Sequence, residues 1–189
     1  MIEEINILNN SNKSWDVNVG EEALSLLSRK GIKGADRDNL LNEAVEILQS
    51  CGNPNNDENS KTGIVIGYVQ SGKTLSFTTV SALAVQNGFN LIIVIAGTTK
   101  KLVNQTTERL AEDLDIHNRS EVSWKTYKNP RLKNVDEVVG DLEEGLFNDK
   151  PVLLFTVMKN TTHLRNLFSL LKSSKIKELG LKALIIDDE

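Results

Sequence analysis

Beyond residue 60 the chain alternates short, wholly apolar runs with longer stretches whose apolar residues recur every three or four positions. The runs are GIVIG (63–67), LIIVIA (91–96), PVLLFTV (151–157) and ALIID (183–187), with EVSWKTY (121–127) a weaker fifth. A strand that is apolar on both sides needs cover on both faces, as in a parallel sheet between two helix layers. Helices are expected in the gaps, near 73–86, 100–113, 135–147 and 161–173. This alternation predicts an α/β fold: a parallel sheet of about five strands with right-handed crossovers.

Before residue 60 the pattern differs. VGEEALSLLSRKG (19–31) and ADRDNLLNEAVEILQSCG (35–52) both read as helices. In the second, Leu40, Leu41, Ala44, Val45 and Leu48 share one face, with Asp36 as the expected N-cap and Gly52 just past the end. CGNPNNDENSK (51–61) is a loop by composition. The expected division is a helical annex with its linker over 1–60 and an α/β domain over 61–189.

Composition narrows the setting. The longest apolar run is far too short to span a membrane. The N-terminus has neither a basic region nor an apolar core like a secretory signal, and the single cysteine, Cys51, excludes an intrachain disulfide. A cytoplasmic location is the expectation. The net charge of −4 is uneven: residues 1–60 carry 5 basic and 11 acidic side chains, the remainder 17 and 15. Any nucleic-acid contact must therefore come from a local patch.

The sharpest chemical signal is Gly67-Tyr-Val-Gln-Ser-Gly72-Lys73-Thr74, which fits the phosphate-binding pattern G-x-x-x-x-G-K-[ST]. Glycines let the backbone curl so that successive N–H groups, with the positive end of the next helix, surround phosphate. Gly67, Gln70, Ser71, Gly72, Lys73, Thr74 and Leu75 form the candidate nucleotide site. Lys73 is placed to reach the outer phosphates, and the Thr74 hydroxyl suits Mg²⁺, a hard cation. The motif sits after an apolar run and before a helical stretch, the context it requires. No N/T-K-x-D guanine motif is present, which favours ATP over GTP.

A phosphate loop of this kind needs a carboxylate at the C-terminal end of a neighbouring strand. ALIID followed by Asp188 and Glu189 offers one. In the preferred register Asp188 holds the metal's water and Glu189 is the candidate base. In the register one earlier, Asp187 takes the metal role.

The two motifs together resemble the first RecA-like domain of superfamily 2 helicases and translocases. The spellings VQSGKT and LIIDDE look closer still to the helicase portion of the Z-one-domain endonuclease family, bacterial proteins with restriction-like roles. AGTTKKLVNQTTERL (96–110) resembles motif Ia, and LLFTVMKNTTHL (153–164) resembles the threonine-bearing Ib region. The resemblance implies a P-loop fold, ATP and Mg²⁺ as cofactors, and DNA as partner. It also implies nucleic-acid contacts at Thr98, Thr99, Gln105, Thr156 and Lys159. A second RecA-like domain and a nuclease-associated domain are expected beyond residue 189, so the segment alone is expected to be a weak ATPase, truncated at motif II. The competing reading is a nucleotide-binding switch that signals to a partner without motor activity.

Two basic stretches remain. Lys125, Lys128, Arg131 and Lys133 flank Trp124 and Tyr127, and Lys159, Arg165, Lys172, Lys175 and Lys177 accompany His163. For the first, a solvated surface is favoured over a nucleic-acid patch, with Trp124 facing the core. His163 is read as a helix-start or surface residue. Cys51 has no paired base and so is a weak nucleophile.

Overall fold

The computed structural model describes residues 6–7, 15–56, 61–66, 72–118, 122–145 and 151–188. The chain divides into two compact units, Met1–Gly88 and Phe89–Glu189.

In the first unit, β1 (Asn6–Ile7) pairs antiparallel with β2 (Val65–Ile66), and three helices follow the expected pattern: α1 (Glu21–Arg29), α2 (Gly34–Ser50) and α3 (Lys73–Gln86). Both α1 and α2 pack against α3. Leu26 and Leu27 of α1, Leu40 and Leu48 of α2, and Val80 and Leu83 of α3 are all buried. The start of α1 has no cap from its own Gly20. Instead the Glu22 N–H donates to Gln86 Oε1 at 3.0 Å, while Asn87 exchanges two hydrogen bonds with the backbone of Asn18 at 2.8 and 2.9 Å. Gly20 makes room for this contact: a Cβ would lie 2.0 Å from the Gln86 amide, which would have to move. The helix α2 begins earlier than expected. Lys33 occupies the N-cap position, and Asp36 lies in the first turn, where its charge still complements the positive helix end.

The second unit is a four-stranded, all-parallel sheet in the order β4-β5-β3-β6, formed by β3 (Leu91–Ala96), β4 (Ser123–Lys128), β5 (Pro151–Met158) and β6 (Ala183–Asp187). Helix α4 (Lys100–Asp113) crosses from β3 to β4. Helix α5 (Val135–Gly145), after a 3-10 turn, leads to β5, and α6 (Thr161–Leu171) and α7 (Ser174–Glu178) lead to β6.

Strand alternation sorts the two faces. Leu91, Ile93, Leu153, Phe155 and Val157 point to a core completed by Val138 and Leu142 of α5, Leu167 and Leu170 of α6, and Ile176 of α7. The opposite face meets α4, whose Thr107 hydrogen-bonds Thr156. Both faces of β5 are therefore covered, and all eight of its residues are buried.

One expectation is corrected. The described part of GIVIG forms the short antiparallel pair with β1, with Ile64 and Val65 exposed, and the parallel sheet has four strands among the described residues rather than about five. ALIID forms an edge of that sheet, pairing only with β3 among the described residues. Continuous apolar runs carry no facing pattern, so they cannot specify their neighbours.

Tyr127 joins β4 to this core. Its ring meets Phe155 edge-on at 5.4 Å, and its hydroxyl donates to Asp141 of α5, which also pairs with Lys125 at 3.0 Å. Burial, then the hydrogen bond to Asp141 and the nearby acids, pushes the Tyr127 phenol well above its ordinary range. The folded state thus favours the neutral phenol. Its contribution is intact below the unfolded value near pH ~10 and is lost as pH rises from there through the higher folded value. Chemical denaturation at a series of alkaline pH values should show wild type losing stability above pH ~10 more steeply than Tyr127→Phe. Phe155→Ala, which empties the centre of the same face, should cost about 3–5 kcal/mol in urea unfolding at neutral pH.

Candidate functional site

Parallel strands end on one side of their sheet, so the segments after β3, β5 and β6 share a rim. The register aligns Ala96 with Met158 and Ile95 with Asp187. Gly97, Lys159 and Asp188 continue those strands. The Lys159 N–H donates to Gly97 O at 2.9 Å, and the Asp188 N–H donates to Ile95 O at 3.1 Å. Gly97 has φ +31°, and an added Cβ would sit 2.6 Å from Leu102 Cδ1, so the chain turns here beneath the first turn of α4.

Across that glycine, Lys159 Nζ reaches Asp187 Oδ1 at 3.0 Å, linking the ends of two strands with β3 between them. The backbone under Lys159 is tied from the other side as well. Asn129, in the left-handed region at φ 48°, donates its N–H to Thr156 O at 2.8 Å, and its side-chain oxygen accepts from Met158 N at 2.8 Å. Asn160 then caps α6 by accepting from His163 N at 2.9 Å.

The motif Ia residues lie at the start of α4. Thr98 and Thr99 are exposed, and the Thr99 hydroxyl is the helix cap, accepting from Leu102 N at 3.3 Å. Gln105 is exposed one turn further on. Thr156 is placed differently from the expectation of a nucleic-acid contact. It is 1% exposed, and its hydroxyl lies 2.7 Å from that of Thr107. Thr107 donates its one proton to Val103 O at 2.7 Å, so Thr156 donates to Thr107. This pair ties α4 to β5 beneath the rim. Thr107 was missed in the sequence; the signal available was a threonine inside an otherwise apolar strand, which requires a partner.

The phosphate-loop pattern belongs to the first unit. Its residues Gly67, Gln70 and Ser71 lie outside the described residues, as does Glu189. Gly72 stands at the N-cap of α3 in the left-handed conformation, φ 73° and ψ 23°. Lys73 is the first helical residue and is exposed; Thr74 and Leu75 are half-buried. A left-handed glycine opening into a helix start is the geometry in which backbone N–H groups face an anion.

Several members of the basic stretches have partners nearby. Lys125 pairs with Asp141, Lys128 Nζ donates to Asn104 Oδ1 at 3.2 Å, and Trp124 is buried. Lys172 lies over the Phe168 ring at 4.7 Å, and Lys175 pairs with Asp136. His163 is half-buried in the first turn of α6. The Cys51 thiol donates to Ile47 O at 3.4 Å, and burial pushes its pKa up, opposing thiolate chemistry. Among the described residues no helix is long and apolar enough to cross a membrane. No family model, curated protein or solved structure matches the chain.

Thr107→Val leaves the Thr156 hydroxyl buried without its acceptor and should cost about 1–3 kcal/mol in urea unfolding. Adding Thr156→Val should recover part of that loss, because the orphaned group is then gone.

Proposed function

We propose that the chain is the ATP–Mg²⁺ binding lobe of a DNA-directed ATPase of the superfamily 2 helicase type, within a restriction or defence endonuclease. One observation carries this reading: the pattern G-x-x-x-x-G-K-T coincides with a left-handed Gly72 and a helix that begins at Lys73. An acid pair at the C-terminal rim of a parallel sheet adds support, since open α/β sheets bind ligands on that side.

In this reading the backbone around Gly72 and the start of α3 cradle the phosphates. Lys73 neutralises charge on the outer phosphates as the bond to the leaving group breaks. Thr74, in the first turn of α3, offers a hard oxygen donor of the kind Mg²⁺ prefers. Asp188 is the carboxylate that the acid motif assigns to the metal role. When bound, the ion would supply charge neutralisation at the phosphates. Glu189 orients the attacking water and takes its proton. Asp187, which pairs with Lys159, is the metal candidate in the register one earlier.

Titration of a fluorescent ATP analogue with Mg²⁺ tests the reading. Lys73→Ala should bind at least about tenfold more weakly than wild type, the scale of a charged hydrogen bond. Equal affinity for the two proteins would overturn the phosphate-loop assignment.

A further inference from the structure

We propose that Lys159 is an exchange point: it holds Asp187 in the absence of nucleic acid and gives up that carboxylate for a backbone phosphate of single-stranded DNA. The proposal rests on the nucleic-acid part of the reading above and adds to it a route by which DNA reaches the acid motif.

The first support is geometric. Lys159 Nζ lies 3.0 Å from Asp187 Oδ1, so a residue at the end of β5 contacts the acid cluster at the end of β6. The second is strength. The two side chains are 34% and 47% exposed, and an ion pair so accessible to water holds its partners weakly. A phosphodiester offers the same ammonium an anionic oxygen, and binding it releases counterions from the DNA. The third is rigidity around the moving part. The backbone of Met158 and Lys159 is hydrogen-bonded to Asn129 on one side and Gly97 on the other. A change of partner can therefore proceed through the lysine side chain while its backbone stays in place.

The surroundings favour an incoming anion. Exposed Thr98 and Thr99 open α4 directly after Gly97, the residue that accepts from Lys159 N–H. The positive end of this 14-residue helix, capped by the Thr99 hydroxyl, begins at the same rim. When DNA takes Lys159, Asp187 loses that cation beside Asp188, and the field at the acid motif becomes more negative. By reciprocity, whatever strengthens the hold of Lys159 on Asp187 weakens DNA binding.

A double-mutant cycle on the full chain tests the exchange. Binding of a short fluorescein-labelled single-stranded DNA is measured by anisotropy, without nucleotide, over a series of salt concentrations. Asp187→Asn removes the competing carboxylate charge and should tighten binding about two- to fivefold, the scale of an exposed pair. Lys159→Gln should weaken binding and lower the salt slope by about 0.7, one phosphate contact fewer. Lys159→Arg should preserve wild-type binding. In a Lys159→Gln background, Asp187→Asn should no longer tighten binding.

Two results overturn the exchange while leaving DNA recognition standing: wild type binds the DNA but Asp187→Asn does not change its affinity, or Asp187→Asn tightens binding equally with and without Lys159. No binding by wild type removes the nucleic-acid reading itself, and the exchange falls with it. Unchanged melting temperatures establish that each variant is folded.

Discussion

The structure of the second unit depends on the register of one strand. β3 pairs with β5 on one side and β6 on the other, so its alignment fixes which residues emerge together at the rim. Ile95 stands opposite Val157 and Asp187 at once. A slip of one residue would turn every side chain of a strand to the other face. It would separate Thr156 from Thr107, Phe155 from Tyr127, and the end of β5 from the acids of β6. The energy that forbids this is ordinary apolar burial. Leu91, Ile92, Ile93 and Val94 are at most 1% exposed, and their covers differ on the two faces.

Polar groups set the ends of that apolar block. At the entry side Asn90 exchanges hydrogen bonds with Lys182: its N–H donates to Lys182 O at 3.1 Å, and its side chain accepts from Lys182 N at 2.7 Å. At the exit side Asn129 does comparable work between β4 and β5. An amide side chain can mimic a backbone peptide where a strand runs out of ladder partners, and asparagine tolerates the left-handed turn that Asn129 adopts. The strands are thus pinned at both ends by side chains of the same type, and the rim is presented from a fixed frame.

Much of this was legible in advance. LIIVIA, PVLLFTV and ALIID became strands close to their expected bounds, and EVSWKTY became the edge strand β4. The helices after GKT and after AGTT began and ended as their periodicity indicated. Local patterns suffice for such elements because each reports its own burial. Pairing partners did not follow, since an apolar run such as GIVIG fits a central strand or a short antiparallel pair equally well. The burial of Thr156 was not legible for the related reason that nothing local tells which face of β5 is covered at its end. The ion pair of Lys159 with Asp187 spans 28 residues of sequence and arises only from the sheet order, which puts β3 between their strands.

The same order explains why that ion pair is suited to exchange. A lysine and a carboxylate buried together would carry a large desolvation penalty, and breaking them would leave an uncompensated charge. Such a pair is a fixed structural element. At the open rim, water covers part of both groups, so neither state of the lysine is costly and a modest competing interaction can decide between them. The covered threonine pair one layer below shows the contrast. Thr107 and Thr156 are neutral, buried and committed, and they hold α4 to the sheet whichever anion Lys159 contacts. Stability therefore resides beneath the rim, while the rim itself keeps the freedom to change partners.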